Sequence, residues 1–243
     1  MFITLFNTAI YDPLYNGLVF LIGIVPMADV GIAVIILTIL VKLLLFPLAH
    51  KVARTQVVIK RIQPEIDKLK ESLKDDKQAQ TIKTLALYKE NNINPLFGFL
   101  VILIQLPIIL GLYWVFYKGG LPSINVELLY SFVNEPEAVN MMFIGLVAMG
   151  GKSIILALLA GITQFINMLI IMPHAPKAKE GAKPSIKDDL ARSMHMQMKY
   201  VMPIIITVVA YTISSAVALY WVTSNIFAIG QELLVRRQIK NEE

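Results

Sequence analysis

Apolar and polar residues fall along this chain in long blocks. Leu96 to Tyr117 is a run of 22 residues without a charge, and Ser153 to Pro173 is one of 21. Tyr200 to Gln231 is a third, of 32 residues, and Gly31 to Ala49 is apolar apart from Lys42. A helix rises 1.5 Å per residue, so about 20 residues cross a hydrocarbon core. Three of these runs therefore each predict one membrane-spanning helix. The 32-residue run is long for one span and short for two. Two further apolar stretches, 14–27 and 141–150, are too short to span and are expected at the outer interface.

Basic residues decide how the long run divides. Ten of them lie between His50 and Pro95, six between Pro173 and Lys199, and three after Gln231. Only Lys42, Lys118 and Lys152 fall elsewhere. Positive loops stay in the cytoplasm. The segments on both sides of the long run are basic, so two helices are expected within it, near 196–210 and 217–235, with a turn at Ser214 and Ser215. The expectation is an all-α integral membrane protein of five transmembrane helices, with its N-terminus outside and its C-terminus in the cytoplasm. In that scheme 1–29 is an extracytoplasmic interfacial segment and 30–49 the first span. Residues 50–95 are a cytoplasmic helical hairpin, 96–117 the second span, 118–152 an extracytoplasmic loop and 153–173 the third span. A cytoplasmic loop at 174–195, spans at 196–213 and 216–235, and a cytoplasmic tail at 236–243 complete it.

Within the hairpin, Ile62, Ile66, Leu69 and Leu73 step by 4, 3 and 4, a coiled-coil-like seam. Asp75 and Asp76 break the pattern. A second helix is expected from about Lys77 to Asn91, with Ile82, Leu85 and Tyr88 as its apolar stripe. So thin a core predicts a mobile arm.

Composition narrows the function. Hydrophobic residues make up 56 % of the chain and charged residues 16 %, against about 25 % in soluble domains. There is no cysteine, so disulfides, thiolate metal sites and lipidated cysteines are excluded. Three scattered histidines offer no metal set, and no cofactor is expected. No Ser/His/Asp set, H-E-x-x-H or carboxylate pair falls within a span, so the chain does not read as an enzyme. Gly150-Gly151-Lys152-Ser153 lacks the first glycine of a phosphate loop, because position 146 is Leu146. The positive charge is confined to membrane-flanking blocks and does not argue for sequence-specific nucleic-acid binding.

Polar residues inside the spans carry the remaining chemistry. Lys42 lies mid-span, where a charge costs on the order of 3 kcal/mol. It either snorkels to the cytoplasmic headgroups, pairs with Glu232, or faces a wet cavity open to a ligand. Thr38 sits one turn away on the same face. Thr163, Gln164 and Asn167 share a face of the third span; Thr207, Tyr211 and Ser214 or Ser215 share one of the fourth. Thr223, Ser224 and Asn225 lie in the fifth, and Gln105 in the second. Several helices with one polar face each predict a polar cavity between them. Such a cavity would also serve a small transporter or channel, although no internal repeat of the transporter kind is visible.

These features resemble the YidC/Oxa/Alb membrane protein insertases over about residues 30–236. The resemblance is carried by Thr38-Ile39-Leu40-Val41-Lys42 with Pro47, by Gln63-Pro64-Glu65, and by Ala86-Leu87-Tyr88-Lys89-Glu90 with Asn94-Pro95-Leu96. Ile104-Gln105-Leu106-Pro107-Ile108, Met202-Pro203, and Leu219-Tyr220-Trp221 with Ser224-Asn225 complete it. It implies insertion and folding of newly made membrane proteins at a hydrophilic groove in the bacterial cytoplasmic membrane. The groove would be open to the cytoplasm and to lipid. Lys42, Thr38, Gln105, Gln164, Asn167, Tyr211, Ser215 and Asn225 would line it. Lys42 stands where this family typically has arginine, and would attract acidic substrate tails. Pro64, Glu65 and Tyr88 would belong to a hairpin that receives substrates. The implied partners are nascent membrane proteins and the bilayer; action alone or with the Sec translocon, and contact with ribosomes, stay open.

Overall fold

The computed structural model describes residues 2–74, 76–94, 97–171 and 193–242. The expected cytoplasmic loop at 174–195 lies almost wholly outside them. The fold is all-α apart from two two-residue strands.

Residues 2–24 are helical throughout: α1 (Phe2–Phe6), a π-helical turn (Asn7–Tyr11) and α2 (Asp12–Ile24). This segment was expected only as a surface element at the interface. Instead, Tyr15, Leu18, Val19 and Ile22 are fully buried in the main core. Two polar side chains fix it there. The Tyr15 hydroxyl donates to the Gly119 carbonyl (3.2 Å) and accepts from the Asn125 amide (2.8 Å). Asn16 donates to the Leu128 carbonyl and accepts from the Tyr130 amide.

Helix α3 (Val30–Leu44) starts at Asp29, whose Oδ1 accepts from the Gly31 and Ile32 amides at 2.7 and 3.1 Å, an N-cap. It ends at Leu44, five residues before the expected limit of its span. The chain bends there by 68° into α4 (Phe46–Ser72). Pro47 explains the break: it has no amide to continue the ladder, and it suits a first helical turn. Helix α4 therefore begins at Phe46, and Pro64 stands in mid-helix.

Asp76 caps α5 (Lys77–Glu90) through the Gln78 and Ala79 amides. The Gln80 side chain donates to the carbonyls of Lys70 (2.8 Å) and Leu73 (3.3 Å), closing the C-terminal end of α4. That contact sets the rotation of α5. Leu87 and Tyr88, at Gln80 +7 and +8, pack on Ile62, Ile66 and Ile93, while Ile82 and Leu85 face outward, contrary to the expected stripe.

Helix α6 (Phe97–Lys118) runs on through Pro107 and ends in an aromatic cluster, with Tyr113 and Tyr117 stacked at 5.4 Å. The loop after it carries β1 (Met142–Phe143) and β2 (Val147–Ala148), an antiparallel pair folded over the start of α3. Asp29 Oδ2 accepts from the Ile144 amide (2.7 Å), so one fully buried carboxylate both caps α3 and holds this hairpin. Helix α7 (Ile154–Ile171), α8 (Met202–Thr212) and α9 (Ser215–Glu242) complete the bundle. The α8–α9 turn is tied to the loop by Ser215, which donates from both its amide and its hydroxyl to the Gly151 carbonyl.

Among the described helices, α7 alone is long and apolar enough to cross a membrane by itself; α3 and α4 qualify together as a bent pair. Large apolar side chains point outward from α3, α7 and α8, including Leu40, Leu43, Leu158, Ile162, Ile204 and Val208.

Candidate functional site

Buried polar side chains lie at both ends of the bundle: Asn16, Asp29 and Ser215, at the end that carries the 119–152 loop, are met by backbone groups there, whereas those toward the other end link helix to helix. The end that carries the 119–152 loop is packed with Val30, Ala33, Val34, Val115, Ala157, Ala216 and Val217. Toward the other end the helices turn polar. Lys42 is about 18 Å along α3 from Val30, Asn167 about 20 Å along α7 from Ile154, and Asn225 about 15 Å along α9 from Ser215.

Lys42 Nζ donates to Gln105 Oε1 at 3.3 Å, across the α3–α6 boundary. Gln105 Nε2 in turn donates to the Tyr220 hydroxyl on α9. Three helices thus contribute to one polar chain that ends on an ammonium group. Tyr220 is 2 % exposed, so its hydroxyl requires this partner. Glu232 is not the counter-ion of Lys42: its Oε1 accepts from Arg236 Nε, four residues on, at 3.1 Å. Among the described residues, Lys42 reaches an uncharged amide and leaves most of its donor capacity for another group.

A second polar cluster joins α7 to α9. Asn167 Nδ2 donates to Asn225 Oδ1 (3.4 Å), and Asn225 Nδ2 donates to Thr163 Oγ1 (3.2 Å). Asn167 Oδ1 and Gln231 Nε2 are buried with no hydrogen-bond partner among the described residues. Buried polar atoms of this kind are normally met by water or a bound group.

The expected lining residues divide accordingly. Lys42 and Gln105 come together, as do Asn167 and Asn225. Gln164 is half-buried on α7. Thr38 is buried and donates to the Val34 carbonyl one turn back (2.6 Å), a helix-internal bond. Tyr211 and Ser215 belong elsewhere. Tyr211 is exposed at the end of α8 with Lys152 5.8 Å from its ring centroid, and Ser215 pins the α8–α9 turn. Sequence periodicity placed them on the same face as deeper polar groups but could not separate the two ends of the bundle. Pro64 and Glu65 are exposed on α4, and Tyr88 is half-buried in the hairpin seam. Tyr220 was missed as a site residue; its signal was a tyrosine in mid-span, where a hydroxyl needs a partner.

Residues 21–242 match the family model described as 60Kd inner membrane protein. The chain belongs to the YidC/Oxa/Alb membrane protein insertase family. It is 31 % identical over 234 residues to a membrane protein insertase YidC of Fusobacterium nucleatum, covering 94 % of this chain and 98 % of that one. It is 32 % identical over 207 residues to proteins of the same name from Francisella tularensis subspecies novicida and tularensis. Those alignments cover 85 % of this chain but 32 % of the Francisella proteins, so the chain spans about a third of their length.

Proposed function

We propose that this chain is a membrane protein insertase of the bacterial cytoplasmic membrane, acting through a hydrophilic groove that opens toward the basic, cytoplasmic side. The observation that carries the reading is the Lys42–Gln105–Tyr220 chain inside a bundle whose outward faces are apolar. Family membership supports the activity, and the unmet buried polar atoms of Asn167 and Gln231, away from the 119–152 loop, support the direction of opening.

The mechanism follows from solvation. A hydrophilic tail crossing a bilayer must shed water over about 30 Å. Polar groups halfway along the bundle shorten that apolar distance. Lys42 offers a positive charge in a region of reduced dielectric, where an acidic tail is attracted more strongly than in water. The loop capped by Asp29, Tyr15 and Asn16 closes the far end of the bundle, so the tail enters from the basic side. The client's own apolar helix then partitions into lipid. Burial of some twenty apolar residues supplies the free energy, and no nucleotide is consumed. Gln164, Asn167 and Asn225 extend the polar surface, and Pro64, Glu65 and Tyr88 belong to the arm that first meets clients. The basic blocks favour a cytoplasmic hairpin and an outside N-terminus.

Reconstitution of the purified chain into liposomes free of nucleotide tests this reading. A short single-span client should become protease-protected in proportion to the amount of chain present. Client insertion equal to that of empty liposomes would reject it. Cysteine labelling from outside should reach position 125 and not position 74; the reverse pattern would reject the orientation.

A further inference from the structure

The loop-bearing end of the bundle has a cleft that the insertion reading does not use. It lies between the end of α2 and residues 132–138, with a volume of about 550 Å³, within the usual range of small-molecule sites of about 300–1,000 Å³. A second cavity of about 370 Å³ adjoins it across residues 135–138.

One wall is apolar and open. Phe20 and Ile24 are one turn apart on α2 and are 48 % and 62 % exposed; Met27 and Phe132 are 74 % and 72 % exposed. Met27 and Ala28 have φ of 57° and 51°, two consecutive non-glycine residues in the left-handed region. Such a backbone costs on the order of 1–3 kcal/mol per residue and is kept where its consequence matters. Here it turns Met27 outward beside the cleft. The opposite wall carries Glu135 and Glu137, both exposed, and no lysine or arginine lines either cavity.

We propose that this cleft binds a membrane lipid whose headgroup ends in a primary ammonium. The inference rests on the placement of this end of the bundle at the outer membrane interface. Phe20 and Ile24 run down α2 away from the carboxylates and give an acyl chain an apolar track. Glu135 and Glu137 stand above that track, where a headgroup lies. An ammonium headgroup donates hydrogen bonds to both carboxylates. An anionic headgroup meets two like charges and no cation, and a choline headgroup has no N–H to donate. A protein partner would also have to supply a cation beside an apolar anchor; with this end of the bundle at the membrane interface, the outward-facing Phe20 and Ile24 favour lipid.

Native mass spectrometry of the full chain in mild detergent, with equal amounts of phosphatidylethanolamine, phosphatidylglycerol and phosphatidylcholine, tests this. Phosphatidylethanolamine should be retained about fivefold better, the scale expected for an exposed ion pair. The double substitution Glu135→Gln, Glu137→Gln should abolish the preference, and Phe132→Ser should weaken retention of all three lipids. Equal retention of the headgroups, or a preference that survives the double substitution, would overturn the proposal. So would full displacement by free ethanolamine, which needs no acyl chain, or crosslinking of a photoreactive group at position 132 to protein rather than lipid in cells. Lipid retention is measured on the purified chain, so its outcome is separable from failure of insertion in liposomes.

Discussion

Glu232→Gln is the most informative perturbation of the junction between α4, α7 and α9. Glu232 is 1 % exposed and pairs with Arg236 at 3.1 Å. Arg236 and Lys60 both donate to the Ile170 carbonyl in the last turn of α7. One carboxylate therefore stands with two cations and the negative end of a helix, joining α4, α7 and α9. Glutamine keeps the shape and an acceptor but removes the charge, leaving Lys60 and Arg236 to repel each other. Breaking a buried pair costs about 3–5 kcal/mol. The Arg236 side chain is 38 % exposed, and water there recovers part of the loss, so we expect about 2 kcal/mol. Thermal unfolding in detergent should show a lower Tm, and hydrogen exchange should quicken at residues 58–66. Adding Lys60→Met should recover part of the stability. Unchanged Tm and exchange in the Glu232→Gln chain would refute the reasoning. Burial pushes the Lys60 ammonium down to about 8, with Arg236 adding to the shift and Glu232 opposing it. Between pH 8 and the ordinary lysine value near 10.5 the unfolded chain holds the proton that the folded chain has lost. Stability should therefore rise with pH across that window, and Lys60→Met should remove the rise.

Three further outcomes follow from local geometry. Gly161→Ala places a Cβ 1.9 Å from Thr207 Oγ1 at the α7–α8 crossing, so it should cost about 1–3 kcal/mol in thermal unfolding, with relief on adding Thr207→Ala. Asp29→Ala loses a helix cap and strands the Ile144 amide, about 2–3 kcal/mol together, and should open residues 141–149 to protease. Hydrogen exchange in the hairpin should be graded, fastest around residues 74–85 and slowest at 58–66, where α4 is tied to α7; uniform exchange along the arm would contradict that docking.

The sequence was most legible where one physical rule acts alone. The helical seam at Ile62 and Ile66 follows from periodicity, and the break between the two helices of the arm from the paired acids Asp75 and Asp76. The burial of one face of residues 11–22 was not legible, because length and hydropathy do not distinguish a short interfacial helix from one packed inside a bundle. The rotation of α5 was hidden because Leu87 beside Tyr88 offers a second apolar face, and that face packs on Ile62, Ile66 and Ile93 while Ile82 and Leu85 stay outside. Among the site residues, Lys42 and Gln105 were individually conspicuous as polar groups in apolar runs. Their junction through Tyr220 is a long-range contact, 115 residues apart in the chain for Gln105 and Tyr220, that no local pattern encodes. The separation of Glu232 from Lys42, by contrast, has a local cause: an i,i+4 arginine on the same helix engages the carboxylate.

The central claim is that the Lys42 charge draws acidic client tails into the bundle. It is tested most directly by liposome insertion of two clients that differ only in tail charge, acidic or neutral, by the original chain, Lys42→Arg and Lys42→Ala. At about 4 Å and an effective dielectric near 20, one charge pair contributes on the order of 4 kcal/mol before desolvation is deducted. The net effect should be on the order of tenfold in rate. Lys42→Arg should keep insertion of both clients, since arginine stays charged when partly desolvated. Lys42→Ala should slow the acidic-tail client about tenfold and the neutral one far less. Equal insertion of the two clients by a normally folded Lys42→Ala chain would contradict the claim and leave only the uncharged polar residues to do the work.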